Sequence, residues 1–153
     1  MALILSLPGK AVASQKHSGY SRPMDDLRLA RALLQRTNQP QTLDGEQDEV
    51  SLVMSHIESA ISEINIESVA NGKKRSDIPR IDARMPWAER LSRSSRLLDH
   101  AREDCAGEKD KAGNSGLQAR VLDHIDKAQN RIRIAIETVN FDYSARSIST
   151  RDD

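Results

Sequence analysis

The chain has 153 residues, enough for one domain, of which 37% are hydrophobic, 3% aromatic and 30% charged. A core so thin and aliphatic under so charged a surface argues against a β-sandwich or an α/β enzyme and suits narrow helix-helix seams. The 23 basic residues balance the 23 acidic ones, so no net field draws the chain towards nucleic acid or anionic membrane, and no stretch approaches the roughly 20 apolar residues of a spanning helix.

Residues 1–22 read as a flexible N-terminal segment or a clipped export signal. Ala2-Leu3-Ile4-Leu5-Ser6-Leu7 is apolar, and Ala11-Val12-Ala13 before Ser14 has the form of a small-residue cleavage site. No positive charge precedes the run, however, and it is shorter than a signal core of roughly 7–15 residues. Both readings stand on the residues alone. The bundle domain is expected over 23–143, with a polar tail over 144–153.

A first helix is predicted over 23–36. Pro23 suits its first turn, Asp25 and Asp26 complement the dipole, and Leu27, Ala30, Leu33 and Leu34 make the apolar stripe. Leu29 and Leu34 threaten to exceed what one seam covers, which would leave a face for a partner. A second helix over 44–70 starts at Asp44 with Gln47 at capping-box spacing and ends at Asn71-Gly72. Val50, Val53, Ile57, Ala60, Ile61 and Ile64 form its inward face. The 73–86 linker carries five Lys or Arg against two Asp, a net +3, and connections of that length are often functional.

A third helix over 87–106 turns Leu91, Leu98, Ala101 and Cys105 inward, with Ser94 or Ser95 where a large apolar residue is expected. Cys105, the only cysteine, excludes an intramolecular disulfide and reads as a small buried hydrophobe. The fourth helix, over 115–140, opens with Ser115 and Gln118 at capping-box spacing. It carries the best rhythm of the chain in Val121, Ile125, Ala128, Ile132, Ala135 or Ile136, and Val139. No strand is predicted. The fold class is therefore all-α, an antiparallel four-helix bundle with disordered termini, in which short connections make sequential helices neighbours. The second and third helices are free to be antiparallel too, without being required to.

Two segments nearly repeat: His56-Ile57-Glu58-Ser59-Ala60 with Ile64, and His124-Ile125-Asp126-Lys127-Ala128 with Ile132. Leu98-Asp99-His100-Ala101 is a weaker echo. Features in series go further than generic patterning. They are Asp26-Leu27-Arg28 with Ala30-Arg31, Ala60-Ile61 with Glu63-Ile64, Glu67-Ser68-Val69 with Gly72-Lys73, and Pro79 with Ile81-Asp82. Arg90-Leu91, Leu97-Leu98, Gly116-Leu117-Gln118 with Arg120, and His124-Ile125-Asp126 with Ala128 complete them. In this order, from about Tyr20 to Ile136, the chain resembles a group of small bacterial proteins, usually made with an export signal and all-helical. The resemblance implies a periplasmic or secreted location and supplies no activity or catalytic residue. The chain departs from the group in lacking a full signal peptide, which leaves a cytoplasmic location as the alternative.

Histidine is the sharpest chemical possibility. With the second and fourth helices pointing one way and the third the other, His56, His100 and His124 fall at comparable heights, and imidazoles on facing helices bind Zn²⁺, Cu²⁺ or haem iron. Since His56 and His124 immediately precede Ile57 and Ile125, they should flank the seam, with boundary histidines satisfied by water or carboxylates as the simpler reading. Neither Glu-x-x-His nor His-Glu-x-x-His spacing occurs. There is no nucleophile elbow and no phosphate-cradling Gly-rich loop. The basic middle (Lys73, Lys74, Arg75, Arg80, Arg84, Arg90, Arg93, Arg96) lacks the aromatic residues and recognition helix of a nucleic-acid binder. Trp87 after Met85 and Pro86 plugs one end of the bundle or, with Met85, forms a partner-binding patch. The expected function is a non-enzymatic structural or interaction protein without a cofactor, binding a protein partner through a helix face or the 73–86 linker. A metal- or haem-binding bundle is the alternative.

Overall fold

Ser21–Leu34 (α1) coils because Pro23, Met24, Leu27, Ala30, Leu33 and Leu34 recur at helical spacing, and all six are buried. It starts two residues earlier than predicted, and neither Asp25 nor Asp26 lies in its first turn. Asp25 instead sits 3.9 Å from Arg28. The computed structural model describes residues 19–35, 44–69, 80–108 and 116–149. The side chains of the predicted Asp44–Gln47 cap, the Asn71-Gly72 terminator, Ser115, Lys73 to Arg75 and most of residues 1–22 lie outside what is described.

Asp44–Val69 (α2) buries Val50, Val53, Ile57, Ala60 and Ile64, while Ile61 at the margin of the stripe is half-buried. Trp87–Gly107 (α3) buries Leu91, Ser94, Leu98, Ala101 and Cys105. Ser94 is the position where a large side chain was expected, and its hydroxyl donates to the Ala30 carbonyl of α1 at 3.3 Å. Facing residues as small as Ala30 and Ser94 let two backbones approach closely, and the hydrogen bond satisfies the one buried polar side chain of the core among the described residues. Leu117–Ser149 (α4) buries Leu117, Val121, Ile125, Ala128, Ile132, Ala135 and Val139, which resolves the choice between Ala135 and Ile136. It continues well past the predicted end near residue 140 and into the segment expected to be tail. No proline or glycine interrupts residues 140–149, so nothing local stops the coil.

Cross-helix pairs set the directions. Glu49 meets Arg131 and Glu63 meets Arg120, so α2 and α4 are antiparallel. Asp99 meets Gln129, Arg102 meets Asp126, and Gln118 reaches the Cys105 carbonyl, so α3 and α4 are antiparallel. Ala30 meets Ser94, and Asp26 lies near His100 and Asp104, so α1 and α3 are antiparallel as well. α1 and α4 therefore point one way, α2 and α3 the other. α2 packs on α1 and α4, and α3 packs on the same two, leaving α2 and α3 on opposite corners. The expected antiparallel adjacency thus holds for α1–α2 and α3–α4, and α2 and α3, which the long linker left free, run parallel on opposite corners.

This topology explains the long linker. α2 ends beside the start of α4, whereas α3 starts at the opposite end, so the end of α2 and the start of α3 lie about a bundle length apart. The 17 residues between Val69 and Trp87 reach up to about 58 Å when extended. α3 has 21 residues, which make a helix of about 32 Å. The short α3–α4 junction is tied differently. Gln118 Nε2 donates to the carbonyls of Cys105 (2.9 Å), Ala106 (3.1 Å) and Glu108 (2.6 Å), capping the end of α3 from α4. Gly116 opens α4 at φ +83°, a left-handed conformation that costs glycine nothing.

Candidate functional site

Two of the three predicted histidines meet. His56 and His124 sit across the α2–α4 seam with ring centroids 6.2 Å apart and planes tilted by 32°. Both are half-buried, flanking the fully buried Ile57 and Ile125 as their positions in the sequence predict. His124 Nδ1 is closed to solvent and makes no hydrogen bond. An orphaned buried nitrogen of this kind costs about 1–3 kcal/mol. His56 is held below the ordinary histidine range, first by partial burial and then by the positive charge of His124, Lys127 and Arg131, with Asp123 opposing. The two cations are engaged elsewhere: Lys127 bonds Asp123 at 2.7 Å, as its i,i+4 spacing predicts, and Arg131 bonds Glu49 at 3.3 Å.

His100 does not join them. The arrangement that placed it level with the other two had α2 and α4 parallel, and they are antiparallel. His100 is exposed on the flank of α3 that faces α1, near Asp26, while His124 lies on the α2-facing flank of α4. The three-histidine constellation is therefore a pair plus an isolated residue. Among the described residues no group of three or more His, Cys, Asp or Glu side chains is arranged to hold a metal ion.

Asp26 is the second perturbed group. Half-buried in the α1–α3 seam, it is raised above the usual carboxylate range by desolvation, an effect that His100 opposes and Asp104 and Asp25 reinforce. Burial, with Asp104 and Glu108 nearby, pushes the Cys105 thiol up to about 12. A thiol so protonated and fully buried is a packing residue and a poor nucleophile.

Trp87 is half-buried and packs against the core at the start of α3, and Met85 is half-buried beside it. Their approach is fixed by Arg90, one of the basic residues of the middle segment. Its Nε donates to the Met85 carbonyl at 3.1 Å and its Nη2 to those of Asp82 (3.1 Å) and Ala83 (3.3 Å). The Arg84 amide donates to Asp82 Oδ1 at 2.9 Å, closing the turn. Arg90 is thus a structural clamp, while Arg80, Arg84, Arg93 and Arg96 are exposed.

Excess apolar surface lies elsewhere than expected. Leu34 is buried and Leu29 half-buried, but Leu52, Ile66, Ile134 and Phe141 are 41%, 71%, 42% and 75% exposed, Ile66 standing apart near the end of α2. Leu52 is one helical turn from both Glu49 and His56, which face α4. Ile134 is one turn from Arg131, which faces α2, and Phe141 is a heptad beyond Ile134. Ile134 and Phe141 therefore share an outer face of α4 on the α2 side, with Phe141 past the level at which α2 starts at Asp44, and Leu52 lies on the neighbouring flank of α2 nearer the middle of the bundle. The seven-residue spacing of Ile134 and Phe141, off the core stripe, was the available sequence signal for that face.

No helix among the described residues is long and apolar enough to cross a membrane. No family model, curated protein or solved structure matches the chain.

Proposed function

We propose that this protein is a non-enzymatic interaction module, exported from a bacterial cell, that receives an amphipathic helix of a protein partner along the outer face of α4 carrying Ile134 and Phe141. The observation that carries the reading is Phe141, 75% exposed one heptad beyond the exposed Ile134 on the same helix face. That spacing is about 10 Å along the axis and matches the anchor spacing of a docked amphipathic helix. Large exposed aromatics of this kind are the anchors around which interfaces concentrate their binding energy. Export rests on the resemblance and on the apolar run at Ala2 to Leu7.

A photo-crosslinking residue placed at position 141 of the intact chain, in living cells, tests this face. Adducts with one helical segment of one protein are expected from position 141 and from position 134, and none from Arg133 on another face. Equal labelling from 133 and 141, or none from 141 while the purified protein turns over a small substrate, overturns the reading. Mass measurement of the mature chain from a periplasmic fraction tests export separately.

A further inference from the structure

We propose that His56 and His124 form a two-imidazole chelate for a first-row divalent cation of the Cu²⁺, Ni²⁺ or Zn²⁺ class, clasping α2 to α4. Imidazole nitrogen is the preferred donor for these ions. A nitrogen-metal bond of about 2.0–2.1 Å puts each ring centroid about 3.2 Å from the ion, so two rings on one metal have centroids at most about 6.4 Å apart, and about 5.2 Å at the tetrahedral angle. The observed 6.2 Å lies inside that ceiling. Closing to the tetrahedral value takes an approach of about 1 Å, within the reach of rotamer adjustment for two half-buried side chains at the edge of the seam.

Three further features favour the site. His124 Nδ1 makes no hydrogen bond, so turning that nitrogen towards a shared ion breaks none of its contacts with the protein. Lys127 and Arg131, whose charges oppose a cation here, are each neutralised by a carboxylate of their own, Asp123 and Glu49. Both rings stand on helices locked by Ile57 and Ile125, which keeps the pair facing across the seam. Two protein ligands leave the remaining positions to water, so the ion is exchangeable, with Cu²⁺ held tightest by the ordinary order of affinities.

The test uses the full chain without a polyhistidine tag, freed of metal with a chelator, then titrated with CuCl2, NiCl2 or ZnCl2 at pH 7.5. Thermal unfolding followed by circular dichroism should shift upward by several degrees with CuCl2. His56→Gln and His124→Gln should each weaken binding at least tenfold by calorimetry, while a His17→Gln, His100→Gln double variant binds as the parent does. The Cu²⁺ electron-paramagnetic-resonance spectrum should carry couplings from two imidazole nitrogens in the parent and at most one in either single variant, a readout independent of stability. Binding that survives both single variants, binding lost in the double variant, or no shift with any of the three ions overturns the proposal. None of these results touches the helix-docking reading, which the crosslinks at position 141 decide.

Discussion

Two of the four antiparallel seams of this bundle, α2–α4 and α1–α3, close in different ways. Between α2 and α4, β-branched aliphatics fill the interior (Val53, Ile57 and Ile64 against Val121, Ile125 and Ile132), and the rim carries two histidines and two ion pairs. Between α1 and α3, the pair that defines the contact is Ala30 and Ser94, joined by a hydroxyl-to-carbonyl bond, and the perturbed rim group is Asp26. Bulk sets the spacing of the first seam, whereas small size sets the second. A seam spaced by bulk is sensitive to lost volume, and one spaced by small residues is sensitive to added volume.

The largest effects should follow that division. Ile57→Ala or Ile125→Ala is expected to cost about 2–5 kcal/mol, since each side chain is fully buried and a cavity between two long helices collapses only in part. Urea unfolding with an unchanged m-value measures it. Ser94→Leu should come next, at about 1–3 kcal/mol, by forcing α1 and α3 apart. Ser94→Ala should lose no more than about 1 kcal/mol, because the Ala30 carbonyl sits in a helix that supplies it another donor. If Ser94→Leu is tolerated as well as Ser94→Ala, the α1–α3 seam is looser than the 3.3 Å hydrogen bond implies.

The rims should answer pH in opposite senses. His56 is lowered in the fold from its ordinary 6.5, so the unfolded chain takes the proton more readily. Its contribution is intact above the unfolded value and is lost as pH falls through 6.5 towards the folded value. Asp26 is raised from 3.8, so the folded chain takes that proton more readily. The penalty of its buried charge is present at neutral pH and is relieved as pH falls through the folded value. Melting curves in chelator should therefore show parent and His56→Gln diverging below about pH 6.5 in favour of the variant. Asp26→Asn should gain over the parent at pH 7 and lose that gain near pH 4. Parallel curves for His56→Gln and the parent would mean that the imidazole pair carries no strain.

Why one seam was legible before the other follows from the same contrast. The α2–α4 stripe announces itself through large residues at steps of three and four, and Val53, Ile57, Val121, Ile125 and Ile132 all fall inside as their spacing requires. Ser94 carries no such signal, because a buried serine reads as a gap until Ala30 is seen opposite it. Helix directions were out of reach for a related reason. Periodicity places a residue on a face and says nothing of which neighbour that face meets, so His100 looked level with His56 and His124. Only the cross-helix pairs, with α2 and α3 at opposite corners, separate it. The overrun of α4 escaped because the helical rhythm was followed only to about residue 140 and the polar composition of 144–153 suggested a tail, although no proline or glycine lies between 140 and 149.

The smallest expected effect separates rim from interior. Glu63 and Arg120 join α2 to α4 at 2.9 Å, with the arginine about half exposed. An ion pair in that setting contributes about 0.2–1 kcal/mol, because water screens the attraction and two long side chains lose freedom in making it. A double-mutant cycle of Glu63→Gln and Arg120→Gln should return a coupling in that range at low salt and less in 0.5 M NaCl, where screening acts within about 4–5 Å. A coupling several times larger would place the α2–α4 seam under electrostatic rather than steric control. Ile57→Ala would then weaken the pair as well, and the two substitutions, about 9 Å apart along α2, would fail to add.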